Sequence, residues 1–229
     1  MTIAMLGCGA ASTRLAGSMR PVLSVLAMLL MAGCSLTQPA TIKEMFLVQT
    51  REVPAPTARP RPGTLKVGLF GVAAPFEGKG LVYRASDITY TSDFYNEYFV
   101  PPGAMIGERV AGHIAQTRPF ETIVAGSRLT ARYELRGVVT EMSGDLRDKS
   151  RPAAVLAIHF YLLRTDAPLD VVLFDRLLQQ RVDLHDASAP ALVNGLGAAL
   201  DDLLTGLDQE LTQLVVTVEE RGVGEAEPR

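Results

Sequence analysis

The sequence predicts an α+β fold, a mostly antiparallel sheet with two helices packed on one face. Three observations point there. Ala131, Tyr133 and Leu135 alternate with Arg132, Glu134 and Arg136, the period-2 signature of a sheet with one wet face. Residues 154–164 are apolar on both faces, with Leu156, Ile158, Phe160 and Leu162 on one side, which suits a central strand. Leu192, Leu196, Leu200, Leu203, Leu207, Leu211 and Leu214 trace one face of a long helix.

The elements follow in order. Residues 65–72 read as a strand ended by Pro75, and Glu77-Gly78-Lys79-Gly80 is turn chemistry. Two short strands are expected at 81–84 and 88–91. Pro101-Pro102 opens a helix, because proline suits a first turn whose amides have no partner. Ile106, Val110, Ile114 and Thr117 form its buried stripe, and Pro119 stops it. Gly107 and Gly112 weaken this helix, so its stability must come from docking. Gly137 breaks the alternation of the next strand and is expected to mark a bulge. Turns at Ser143-Gly144-Asp145 and Asp166-Ala167-Pro168 then fold residues 154–164 and 171–184 into antiparallel neighbours. Ser188 is the expected N-cap of the last helix, with Pro190 in its first turn. Asp201, Asp202 and Asp208 make its polar face acidic, which favours packing on the sheet over a membrane-surface role. From Glu219 the chain is charged and expected to fray.

The N-terminus carries a different signal. An apolar run from Val22 to Ala32 ends in Gly33-Cys34-Ser35. It is too short to span a bilayer as a helix and matches the apolar region of an export signal. A short apolar run, small residues and a cysteine form the pattern of a bacterial lipoprotein signal, in which the leader is removed and the thiol is acylated. Residues 1–33 are therefore expected to be a signal peptide, with translation starting at Met1 or Met19, and Cys34 the site of lipid attachment. Residues 34–63 are expected to form the lipidated N-terminus and a proline-rich tether. Four prolines in 51–63 favour extended chain. Either a short strand at 45–49 precedes the prolines, or all of 35–63 is tether. The folded domain is expected over 64–218, followed by a flexible tail at 219–229.

Composition narrows the function. Of the 22 Lys+Arg residues, Arg14 and Arg20 precede Cys34, which leaves 20 against 25 Asp+Glu and a net charge of −5. A mildly acidic chain without a basic run argues against a nucleic-acid partner. Cys8 lies in the leader, so one cysteine remains and no intramolecular disulfide can form. His113, His159 and His185 show no metal-ligand spacing, and no HExxH, Cys-x-x-Cys, Gly-x-Ser-x-Gly or P-loop occurs. Gly195-Leu196-Gly197 lacks the third glycine of a dinucleotide loop. No metal, cofactor or catalytic residue is expected.

Several segments, in this order and spacing, resemble the ABC-type transport auxiliary lipoproteins, the family that includes the PqiC lipoproteins. They are Leu81-Val82-Tyr83-Arg84, Phe94-Tyr95-Asn96-Glu97-Tyr98-Phe99, Pro101-Pro102-Gly103-Ala104-Met105-Ile106, Tyr133-Glu134-Leu135, Gly144-Asp145-Leu146-Arg147-Asp148, residues 154–160 and the leucine-striped helix. The resemblance covers roughly Phe46 to Val215, and departs where many members carry a Trp in the first helix, near His113. It implies a non-catalytic periplasmic component, held by lipid on Cys34, beside an MCE-type system that moves phospholipids or other hydrophobic molecules between the inner and outer membranes. The implied partner is an MCE-domain subunit, and a homo-oligomer stays open. Ser35 after the lipidated position looks like an outer-membrane address.

Aromatic residues and arginine are favoured at interfaces. The candidate partner-binding residues are accordingly Tyr83, Arg84, Tyr95, Tyr98 and Phe99, although the same side chains would serve to pack the sheet edge. Two other readings are a lipid-binding or assembly lipoprotein, marked by an apolar cavity of at least ~300 Å³, and an exported hydrolase, marked by convergent polar groups in a cleft.

Overall fold

The computed structural model describes residues 42–52, 60–126, 129–166 and 168–223, with side chains through Thr212. The expected signal peptide 1–33, Cys34 and the end of the tail lie outside the described residues.

The chain runs through β1 (Glu44–Phe46), β2 (Arg61–Val72), a 3₁₀ turn (Ala74–Phe76), β3 (Gly80–Arg84), β4 (Tyr90–Tyr98) and α1 (Pro102–Thr117). It continues with β5 (Phe120–Ala125), β6 (Tyr133–Asp145), β7 (Ala153–Arg164), β8 (Val171–Asp183) and α2 (Ala189–Val223). The eight strands form one sheet with β6 as its hub. One edge of β6 pairs antiparallel with β7 from Tyr133↔Arg164 to Asp145↔Ala153, and β7 pairs antiparallel with β8. The other edge of β6 pairs parallel with β2 along its first half and with Tyr83–Arg84 of β3 at its end. From there the sheet extends through β2 to β5 and through β3 and β4 to β1.

The class is α+β with two helices and a mostly antiparallel sheet, as the patterning predicts. The 6–7–8 meander, which carries the longest ladders, follows from its short turns. The parallel pairs β1–β4, β2–β5, β2–β6 and β3–β6 do not. They join segments far apart in sequence, where no local turn signals the partner.

Both helices cover the same face. Phe70 of β2, Gly137 of β6 and Phe160 of β7 are in register, and the two rings meet edge-on at 6.0 Å. α1 lies on this row, with Met105, Ile106, Val110 and Ile114 buried. α2 buries Leu192, Leu196, Leu200, Leu203, Leu207 and Leu211 beside it. Its N-cap is Ser188, whose Oγ accepts from Ala191 N at 3.3 Å. The helices are tied by His113 Nε2 and Asp208 Oδ2, 2.8 Å apart. Arg118, in the left-handed conformation (φ 45°), ends α1 just before Pro119.

Several details depart from the sequence reading. Ser143-Gly144-Asp145, expected as a turn, is the last part of β6 and stays paired with β7 to Asp145↔Ala153. The body begins at Ile42 instead of Thr64. Strand β1 forms, and the chain after it crosses both helices: Val48 is buried, Arg109 Nε donates to Val48 O at 3.0 Å, and Arg51 N donates to Asp201 Oδ1 at 3.0 Å. The register shift in β6 falls at Thr140, between Val139 and Glu141, instead of at Gly137. Gly137 serves the Phe70 ring. β5 adds a short edge strand after Pro119. Finally, α2 runs to Val223, past the expected fraying point at Glu219, because its Glu and Arg residues are good helix formers.

Candidate interaction surface

The sheet face opposite the helices carries no helix among the described residues. Period-2 alternation along β6, β7 and β8 places Glu141, Ser143 and Asp145, then Val155, Ala157, His159 and Tyr161, then Leu177, Gln179 and Arg181 on it.

One end of this face holds a polar basin of about 490 Å³ that includes Arg84, Glu141, Asp145, Arg147, Gln179 and Arg181. Asp145 is its buried centre, 4% exposed. It accepts from Arg147 Nη2 at 2.8 Å, Arg147 Nε at 3.0 Å and the Arg147 backbone N at 3.1 Å, and also from Arg181 Nη1. Arg147 Nη1 reaches Asp87 Oδ1 at 2.9 Å. The Arg147 bonds, ahead of all else, hold the Asp145 carboxyl well below the usual range, and the same bonds push the guanidinium up. One buried carboxylate thus holds two partly exposed guanidiniums at the surface, both ion-paired to it. Arg84 borders the basin, donates to Ser86 O and Asp87 O at 3.3 Å, and lies 5.5 Å from the Tyr90 ring.

Farther along, His159 Nε2 bonds Asp175 Oδ1, and Tyr161 Oη lies 2.8 Å from His159 Nδ1. Both ring nitrogens are thereby engaged between strand neighbours, which fixes the imidazole on the sheet. No group of three His, Cys, Asp or Glu is gathered for a metal ion among the described residues.

The second surface is the β1–β4 edge. Lys43 bonds Glu97 at 2.5 Å and lies 4.2 Å from the centre of the Phe94 ring. Phe94 meets Tyr95 edge-on at 5.3 Å. Met45 is opposite Glu97 in register, and Phe99 N donates to Phe46 O at 2.8 Å. Met45, Phe94, Tyr95 and Phe99 are all exposed.

The five expected contact residues therefore separate. Tyr95 and Phe99 lie on the exposed edge, and Arg84 borders the basin. Tyr83 is half-buried toward the helices, in contact with Gly144, and burial pushes its hydroxyl up to about 12, helped by Asp93. Tyr98 is a correction: it is 2% exposed and belongs to the core, because its register opposite Phe46 turns it inward. Its hydroxyl finds no hydrogen-bond partner among the described residues, and burial drives its pKa far up. Asp145, Arg147 and Arg181 were missed as a site. Asp145 reads as a turn residue and Arg147 is given no role of its own by the sequence, and only the β7–β8 register brings Arg181 to them.

A third feature is an open groove of about 490 Å³ between α1 and the β2–β5 edge, including Leu69, Phe70, Gly103, Ala104, Gly107 and Ala111. No helix of the described residues is long and apolar enough to cross a membrane.

The fold is similar to those of solved structures, among them these two. One is a protein of the DUF330 family from Xanthomonas campestris, 16% identical, with a TM-score of 0.66, covering 78% of this chain and 99% of that one. The other is a protein described as uncharacterized, 18% identical, with a TM-score of 0.52, covering 77% of this chain and 99% of that one. No family model matches the chain, and no curated protein matches it. At these identities the likeness is one of fold.

Proposed function

We propose that this chain is a non-catalytic, lipid-anchored auxiliary subunit of an MCE-type ABC transport system. Acylated Cys34 holds it at the outer membrane, facing the periplasm, and the helix-free face docks the MCE subunit. The observation that carries this reading is the arginine basin. There the buried Asp145 carboxylate holds Arg147 and Arg181 at the surface beside Arg84. The sequence resemblance and the fold shared with the DUF330 protein agree with it. A membrane-held subunit also meets a partner at raised effective concentration, so a modest docking surface suffices.

Capture of the co-expressed MCE subunit tests the docking. Arg84→Glu and Arg181→Glu are expected to reduce capture at least tenfold, as loss of charged interface contacts does. Equal capture by both variants contradicts the assignment. Cys34→Ala, placed behind a leader cut by ordinary signal peptidase, is expected to leave the membrane fraction and still bind the partner.

The groove beside α1 favours a second reading, a subunit that itself holds an acyl chain, since its size and apolar residues suit one. Native mass spectrometry decides it. Phospholipid that copurifies with the wild type and is lost in Ala104→Trp would establish this reading, and lipid-free wild type would remove it.

A further inference from the structure

We propose that the β1–β4 corner is a membrane-contact surface, whose side chains enter the lipid interface beside the anchor. The proposal rests on the reading that Cys34 is acylated. It deepens that reading by stating which part of the body meets the bilayer.

Chain length sets the geometry. Ile42, where the folded body begins, follows Cys34 by eight residues. Eight residues span at most about 26–29 Å, so the corner carrying Ile42 stays within that distance of the acylated position. The proline-rich stretch lies beyond β1, after the chain has already crossed α1 and α2. It therefore adds nothing to the reach.

What the corner displays is apolar. Ile42 is 85% exposed, Phe94 67%, Phe99 57%, Met45 55% and Tyr95 49%. Phenylalanine and methionine side chains gain by leaving water, and tyrosine suits the headgroup level, with an apolar ring and a polar tip. Lys43 neutralises its charge on Glu97, so the corner carries no unopposed cation from that pair. Its contact with lipid is therefore apolar and independent of anionic headgroups. The anchor confines the corner to the membrane, so a contact too weak to act alone is populated.

The chain contains no Trp, so one introduced tryptophan reports without background. Full-length acylated protein is reconstituted into vesicles of phosphatidylethanolamine and phosphatidylglycerol, with and without brominated acyl chains. Phe99→Trp and Phe94→Trp are expected to show blue-shifted emission that bromolipid quenches. Ala115→Trp, on the exposed side of α1, is expected to show neither. Quenching should persist in high salt, which screens charge but not apolar contact. Equal quenching at all three positions, or none at Phe99→Trp and Phe94→Trp, overturns the proposal. So does emission that shifts only when the MCE subunit is added, which would make the corner a protein contact.

Mass spectrometry of the same samples separates the two readings. An acylated chain with unquenched tryptophan leaves the anchor standing and removes the corner. If Cys34 carries no lipid, the anchor fails, and the corner, which depends on it, falls with it.

Discussion

At the scale of single residues, Gly137 and Asp145 each do something no neighbour can. A β-carbon on Gly137 would lie 2.1 Å from Cε1 of Phe70, so the ring that meets Phe160 would have to move. Gly137→Ala is expected to cost about 1–3 kcal/mol in urea unfolding, the usual penalty for overpacking a core. Phe70→Leu in the same chain should recover part of it, since the two sites share one contact.

Asp145 is an electrostatic case. Its carboxyl is held below its unfolded value near 3.9. Its contribution is therefore fully present above that value and declines as the pH falls toward the folded one. Asp145→Asn is expected to lose about 1–3 kcal/mol at pH 7, and the gap to wild type should narrow at pH 3. A gap unchanged between pH 7 and pH 3 would contradict the ion-pair account. The alternating patterns give no hint of either role. Gly137 reads as a break in phase, and Asp145 as a turn, until partners distant in sequence are placed beside them.

At the scale of elements, the strongest periodicities were the most legible. From Leu192 to Leu211 the leucine stripe becomes the buried side of α2, and the doubly apolar run 154–164 becomes the strand between β6 and β8. The stretch after β1 was hardest to read. Residues 45–49 read either as a short strand or as tether, yet Val48 is fully buried and Gln49 O sits 2.4 Å from where a Gly197 β-carbon would be. α2 thus has a glycine where the crossing chain presses on it. Gly197→Val is expected to lift this chain from the helices and raise amide hydrogen exchange across residues 47–51, with α2 itself still protected. Exchange unchanged in that segment would show that the crossing does not depend on Gly197. The candidate contact residues were partly legible for a related reason. Aromatic composition marks the region 90–99 as unusual, but only the β1–β4 register separates inward Tyr98 from outward Tyr95 and Phe99.

At the scale of the whole molecule, one sheet separates two kinds of surface. The helices seal one face, while the other presents the arginine basin and, at its β1–β4 margin, exposed aromatic side chains. On the proposed reading, the basin engages a transport partner and the margin rests on lipid. Both depend on an N-terminus that is acylated and short. The most direct measurement is the intact mass of the N-terminal peptide from protein purified out of its native membrane. The account predicts a peptide that begins at Cys34 and carries fatty acyl chains. A free thiol at Cys34, or residues 1–33 still attached, would contradict it.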